Sequence, residues 1–241
     1  MSMKCCIIGL DLFGQHLARE LNQFGAEVLA IGDREDVASK IKDDVADART
    51  VADFSDTSFL EKASVQDFDV VVVSIGDSFE RSLTLVIKAK ELKARRVIAR
   101  AISTEHEHLL KLLRVERIVV PEELAAHGLA HSLLMRGVEE GYEMGDGYSI
   151  VEARVPGLKD GCLRDKGDVF KRAEVRIVTI KRVRHPLLEK ITGRDATGGA
   201  SDEERKTLGV PSLDEKFQED DVFVLFGREK KLRAFLEEFG K

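Results

Sequence analysis

Apolar and polar positions alternate in blocks along the first 120 residues. "KCCIIGL" (4–10) is a continuous apolar run, the pattern of a strand buried on both faces. "GQHLARELNQFG" (14–25) follows, with Leu17, Leu21 and Phe24 at helical spacing and Gly25 as a C-terminal stop. The pairing then recurs. "AEVLAIGD", "DARTVAD", "FDVVVVSIG", "RRVIARA" and "RIVVPE" read as further strands, and the segments between them carry helical periodicity. Regular β-α alternation implies parallel strands with right-handed crossovers, so the expected fold is α/β, a doubly wound, Rossmann-like parallel sheet over residues 1–122.

The texture changes after Pro121. "EELAAHGLAHSLLMRGVEEG" (122–141) reads as one long helical stretch with Leu124, Leu129, Leu133 and Leu134 on its apolar side, and "YEMGDG" as a loop. Residues 123–145 are thus expected to be a connecting helix and linker. Strand patterns at "YSIVEARVP", "VRIVTIKRVR" and "DDVFVLFG", then a helix at "REKKLRAFLEEFG", indicate a smaller α+β domain over 146–241. Within it, 182–210 is expected to be a long loop, with 193–205 exposed and mobile because little apolar surface offsets the entropy of ordering it.

Composition narrows the function. Hydrophobic residues make up 43% and charged residues 34% of 241, enough for two cores and a soluble surface. The net charge of −6 argues against nucleic acid as a partner. No apolar run reaches the roughly 18 residues of a membrane span, and the first residues enter a strand without a signal-peptide layout. Cys5 and Cys6 point to opposite faces of one strand and Cys162 stands alone, which fits core packing in a reducing, cytoplasmic compartment.

The chemistry concentrates at "IIGLDLFG" (7–14). A strand followed by Gly-x-Gly-x-x-Gly opens a dinucleotide fold: the first glycine makes the turn, the second admits the pyrophosphate, the third packs helix on strand. Gly9 and Gly14 hold the first and third places, and Asp11 holds the second. A carboxylate there crowds and repels a phosphate, so either the ligand or only the fold has been kept. Asp33, 19 residues after Gly14, is spaced to receive ribose hydroxyls; equally, it can cap the following helix. Arg100, at a strand end, either reaches phosphates or pairs with a surface carboxylate. Glu122 opens a helix, where an acid favours the dipole whatever else it does.

Taken with "VADFSD", "VVVVSIGDSFERSL", "VIARA", "RIVVPEE" and, in the second half, "YSIVEARVPG", "VRIVTIKR" and "PSLDEKFQEDDVFVLFGREKKLRAFLEEF", these strings resemble the RCK (regulator of potassium conductance) family of the TrkA/KtrA kind. The resemblance implies an RCK N-lobe followed by an RCK C-lobe. It implies a phosphate turn from Gly9 through Asp11, Leu12 and Phe13 to Gly14, and a ribose contact around Gly32, Asp33 and Arg34. Asp53, Phe54 and Ser55 would flank adenine, Ser74, Ile75 and Gly76 would line the nucleotide, Arg100 would reach the phosphates, and Glu122 would help hold a divalent cation at a dimer interface. The implied ligands are ATP/ADP or NAD(H), with Mg or Ca as the cation. In relatives the ribose acid occupies the place of Gly32, so this chain departs at Asp11 and at Gly32. The implied function is that of a cytoplasmic, non-catalytic gating subunit. It would dimerise, form an octameric ring and sit beneath an integral-membrane potassium-translocating subunit of the TrkH/KtrB kind. The rivals are an NAD(P)-dependent oxidoreductase and a scaffold with a degenerate nucleotide site.

Overall fold

The computed structural model describes residues 2–135, 137–183 and 205–240, and they form two compact units, Met1–Glu122 and Glu123–Lys241. In the first, strands β1 (Lys4–Ile8), β2 (Glu27–Gly32), β3 (Asp47–Thr50), β4 (Val70–Val73), β5 (Val97–Arg100) and β6 (Arg117–Val119) make one parallel sheet in the order β3-β2-β1-β4-β5-β6. The doubly wound expectation is borne out. Helices α1 (Leu12–Gln23), α2 (Glu35–Ile41), α3 (Ser58–Lys62), α4 (Phe79–Glu91) and α5 (Thr104–Leu112) are the crossovers.

Side chains one residue apart on a strand serve different layers, which is why the runs are continuously apolar. Cys6, Ile8, Val71 and Val73 pack with Leu60, Leu85, Val86 and Leu110 in one layer. Cys5, Ile7, Val70 and Val72 pack with Ala18, Ala38 and Ile41 in the other. The adjacent cysteines are core residues on opposite faces, and burial pushes the Cys6 thiol up to about 12.

β1 pairs with β2 on one side and β4 on the other, so the chain reverses its winding there. In such sheets the crevice beyond the carboxyl ends of the strands at this reversal is where ligands bind. Helix α6 (Pro121–Leu134) begins where the first unit ends.

In the second unit β7 (Val138–Gly145), β8 (Tyr148–Arg154), β9 (Val175–Val183), β10 (Arg205–Thr207) and β11 (Val222–Arg228) form an antiparallel sheet in the order β10-β9-β11-β8-β7. Helices α7 (Leu163–Ala173) and α8 (Glu229–Phe239) pack on it through Phe170, Leu232, Phe235 and Leu236. Three local expectations change. The long helix stops at Leu134, and residues 138–145, expected in a helix and linker, pair with β8 as an edge strand. Helix α7 lies where no helix was expected. Of the expected loop at 182–210, residues 182–183 end β9 and 205–207 form β10, while the stretch expected to be mobile falls, save for Arg205, outside the described residues.

Candidate functional site

The turn from β1 into α1 is shaped by two close approaches. Gly9 has φ +98°, a left-handed conformation that glycine alone adopts freely, and a Cβ there would run into the Ser74 carbonyl at the end of β4. A Cβ on Gly14 would strike the Gly9 carbonyl, so helix and turn can meet only without one. Between them Asp11 takes extended φ/ψ as the N-cap of α1, and its Oδ1 accepts the Gly14 N–H at 2.8 Å.

A cavity of about 420 Å³ opens at the carboxyl ends of β1, β2 and β4. Of the residues read from the sequence, Gly9, Asp11, Leu12, Gly32, Asp33, Arg34, Phe54, Ser74, Ile75, Gly76 and Arg100 line it. Phe13 is not among the lining residues; the Arg100 guanidinium lies over its ring at 5.9 Å. Gly14 forms the buried base of α1. Asp53 and Ser55 are exposed and serve their own turn, Asp53 Oδ1 accepting the Ser55 N–H at 2.9 Å; that bond holds the Asp53 carboxyl below its usual range.

Four lining residues escaped the sequence reading: Leu10, Gln15, Val37 and Asp77. Gln15, one residue past Gly14, donates from Nε2 to the Leu10 carbonyl at 3.0 Å, and Asp77 directly follows the "SIG" turn. Adjacency to those turns was the available signal.

Charge in the cavity is mutually committed. Arg100 Nη1 donates to Asp11 Oδ2 and Nη2 to Glu122 Oε1, so one guanidinium bridges two carboxylates; Arg100 is only 14% exposed and Asp11 28%. Asp11 Oδ1 also accepts from the buried Ser74 hydroxyl at 3.2 Å. Of the two sequence readings of Arg100, the structure shows the pairing with carboxylates, at a position that also lines the cavity. Asp33 does not cap α2, whose N-cap position is Arg34 with no side-chain bond; its carboxylate faces Arg81 at 3.7 Å. Arg81 in turn holds Asp77 at 2.6 Å, and Arg34 holds Asp36 at 2.8 Å. Among the described residues, no group of three or more His, Cys, Asp or Glu side chains is placed to hold a metal ion. Nor is any of their helices long and apolar enough to cross a membrane.

The family model for the TrkA-N domain matches residues 5–121. Ktr system potassium uptake protein C of Bacillus subtilis is 27% identical over 191 residues, covering 79% of this chain and 86% of that protein. Ktr system potassium uptake protein A of the same organism is 29% identical over 146 residues, 61% of this chain and 65% of that one. Among solved structures, the RCK domain of GsuK superposes with a TM-score of 0.62 at 17% identity, and the GsuK channel bound to NAD with 0.60 at 16%. These cover 100% and 99% of this chain but only 48% and 39% of theirs, so this chain spans less than half of each.

Proposed function

We propose, on the premise that the TrkA-N domain model matches residues 5–121, that the chain is a cytoplasmic regulatory subunit of a potassium-translocating membrane protein. The observation that carries the reading is the match to a potassium uptake protein along 86% of that relative's length, across both units rather than the nucleotide fold alone. The subunit does no chemistry. It dimerises and assembles into a ring, the octamer implied by the RCK resemblance, beneath a separate pore-forming chain of the TrkH/KtrB kind. The exposed leucines of α6, Leu124, Leu129, Leu133 and Leu134, are its candidate dimer surface.

Gating in such an assembly comes from differential affinity. A ligand that binds one ring conformation better shifts the population by that difference and no more. The cavity at the β1/β4 reversal is the proposed ligand site. GsuK has been solved with NAD, but the residues here do not fit a dinucleotide: where its diphosphate would cross the glycine turn stands the Asp11 carboxylate, already joined to Arg100. Glu122 spends its carboxylate on the same arginine, and we assign no cation to it.

The test is potassium-limited growth of a bacterial strain stripped of its own uptake systems. The chain is co-expressed with a membrane subunit of the Ktr or Trk kind, and rubidium uptake is measured. A lowered potassium requirement that depends on both chains supports the proposal. Uptake indifferent to the chain, with no co-purification of the two, overturns it.

A further inference from the structure

The geometry points to a ligand without a 5′-phosphate: Asp11 is a built-in anion in the phosphate subsite, and the cavity takes a nucleoside whose 5′ position is neutral or cationic. This deepens the regulatory reading and rests on it.

A glycine turn feeding a helix N-terminus binds phosphate because backbone N–H groups and a nearby cation converge on one point. Here one of those N–H groups and a nearby cation converge on a carboxylate of the chain itself. Asp11 receives the Gly14 N–H through Oδ1 at 2.8 Å, the Ser74 hydroxyl at 3.2 Å and the Arg100 guanidinium through Oδ2. The third glycine of the neighbourhood reports the same crowding: a Cβ on Gly76 would lie 2.6 Å from Asp11 Oδ2 and 3.1 Å from Arg100 Nη1.

The charge balance also disfavours phosphate. Asp11 and Glu122 share Arg100, which leaves the cluster at −1. The other arginines near the cavity, Arg34 and Arg81, are committed to Asp36 and to Asp33 and Asp77. An incoming 5′-phosphate therefore meets net negative charge, with the Gly14 N–H and the Arg100 guanidinium already engaged by Asp11. Repulsion between unit charges 4 Å apart near a protein surface corresponds to a loss of affinity of several hundredfold, roughly.

The rest of the cavity keeps what a nucleoside needs. Its volume of about 420 Å³ suits a small ligand. Val37 and Phe54 supply apolar wall, and Asp33, directly after β2 and facing Arg81, is the acid lining the cavity where ribose hydroxyls are received in such folds.

Isothermal titration of the full chain tests this with adenosine, 5′-amino-5′-deoxyadenosine, AMP, ADP and NADH, for wild type, Asp11→Asn and Asp11→Gly. Asn retains an oxygen to cap α1 while removing the charge, so the test survives if the glycine variant does not fold. The expected wild-type order is amino nucleoside tightest, adenosine next by about tenfold, and the three phosphates at least about 100-fold weaker than adenosine. Both variants should gain at least about 100-fold for ADP and lose the preference for the amine. Wild type binding ADP or NADH as tightly as adenosine, or an order indifferent to Asp11, overturns the inference and leaves the potassium reading standing. Failure of every ligand in all three proteins overturns it together with the ligand site. Loss of the potassium phenotype alone, with the nucleoside order intact, overturns only the regulatory reading.

Discussion

Replacing Arg100 by Met should destabilise the first unit by about 2 to 3 kcal/mol. The methionine fills much of the same space and keeps packing near Phe13, so the loss isolates the charge. Arg100 is 14% exposed and Asp11 28%, between the surface regime, where an ion pair contributes about 0–1 kcal/mol, and the buried regime, where losing one partner costs about 3–5. Glu122 is 63% exposed, so its share stays below about 1 kcal/mol. Most of the effect thus belongs to Asp11, and a double-mutant cycle with Asp11→Asn should return a coupling of about 2 kcal/mol. The assay must see the first unit alone. The chain has no tryptophan, and both tyrosines, Tyr142 and Tyr148, lie in the second unit. Native-state hydrogen exchange at the amides of β1, β4 and β5 reports the right unit. A coupling under about 0.5 kcal/mol would mean the bridge is not held in solution, and the reasoning about a filled phosphate subsite would go with it.

Other consequences follow from charge and burial elsewhere. Asp221 has a side chain that is 0% exposed and receives Arg182 at 2.8 and 2.9 Å and the Gln218 N–H at 2.8 Å. Asp221→Ala should cost about 3 kcal/mol in urea unfolding followed by tyrosine fluorescence, and Asp221→Leu with Arg182→Met should recover part of it. His106 is buried at the base of α5, its Nδ1 accepting the Ile102 N–H at 3.3 Å, and burial pulls the imidazole below its ordinary 6.5. The unfolded chain then binds the proton more readily, so stability of the first unit is complete above pH 6.5 and falls as pH drops through that value towards the lower folded one. Hydrogen exchange of the same strands from pH 7.5 to 5.5, corrected for intrinsic rates, should show that decline, and His106→Leu should flatten it. Cys5, Cys6 and Cys162 are buried, with the Cys5 and Cys6 thiols raised by burial, so a thiol reagent at pH 8 should modify none in the folded protein and all three after denaturation.

The first unit was legible because its strands lie between two layers. A strand such as "VVVV" at 70–73 is apolar at every position, and its burial is complete on both faces. The edge strand β7 has the opposite character. Of its eight residues only Val138 and Gly141 are buried, and it is held by backbone pairing to β8 rather than by an apolar pattern. "VEEGYEMG" carries no period to find. Helix α7 buries only Phe170, and Gly167 in its middle lowers helix propensity, so its existence depends on the sheet it rests on.

The site was legible in its turn and hidden in its closure. Gly9, Asp11, Ser74 and Gly76 could be placed from strand ends, because the doubly wound order brings those ends together whatever the loops contain. The bond from Arg100 to Asp11 spans 89 residues, and spacing alone leaves Arg100 free to meet a phosphate, a surface acid or this carboxylate. The fold decides among them through β5, which lies beside β4 and delivers Arg100 to the end of the glycine turn. Asp11 can then be a good helix cap and a poor phosphate neighbour for one reason: the donors that stabilise an anion at the head of α1 do so whether the anion belongs to a ligand or to the chain. A residue that satisfies those donors internally keeps the turn and α1 stable without ligand, and the same satisfaction removes the attraction that would draw a phosphate in.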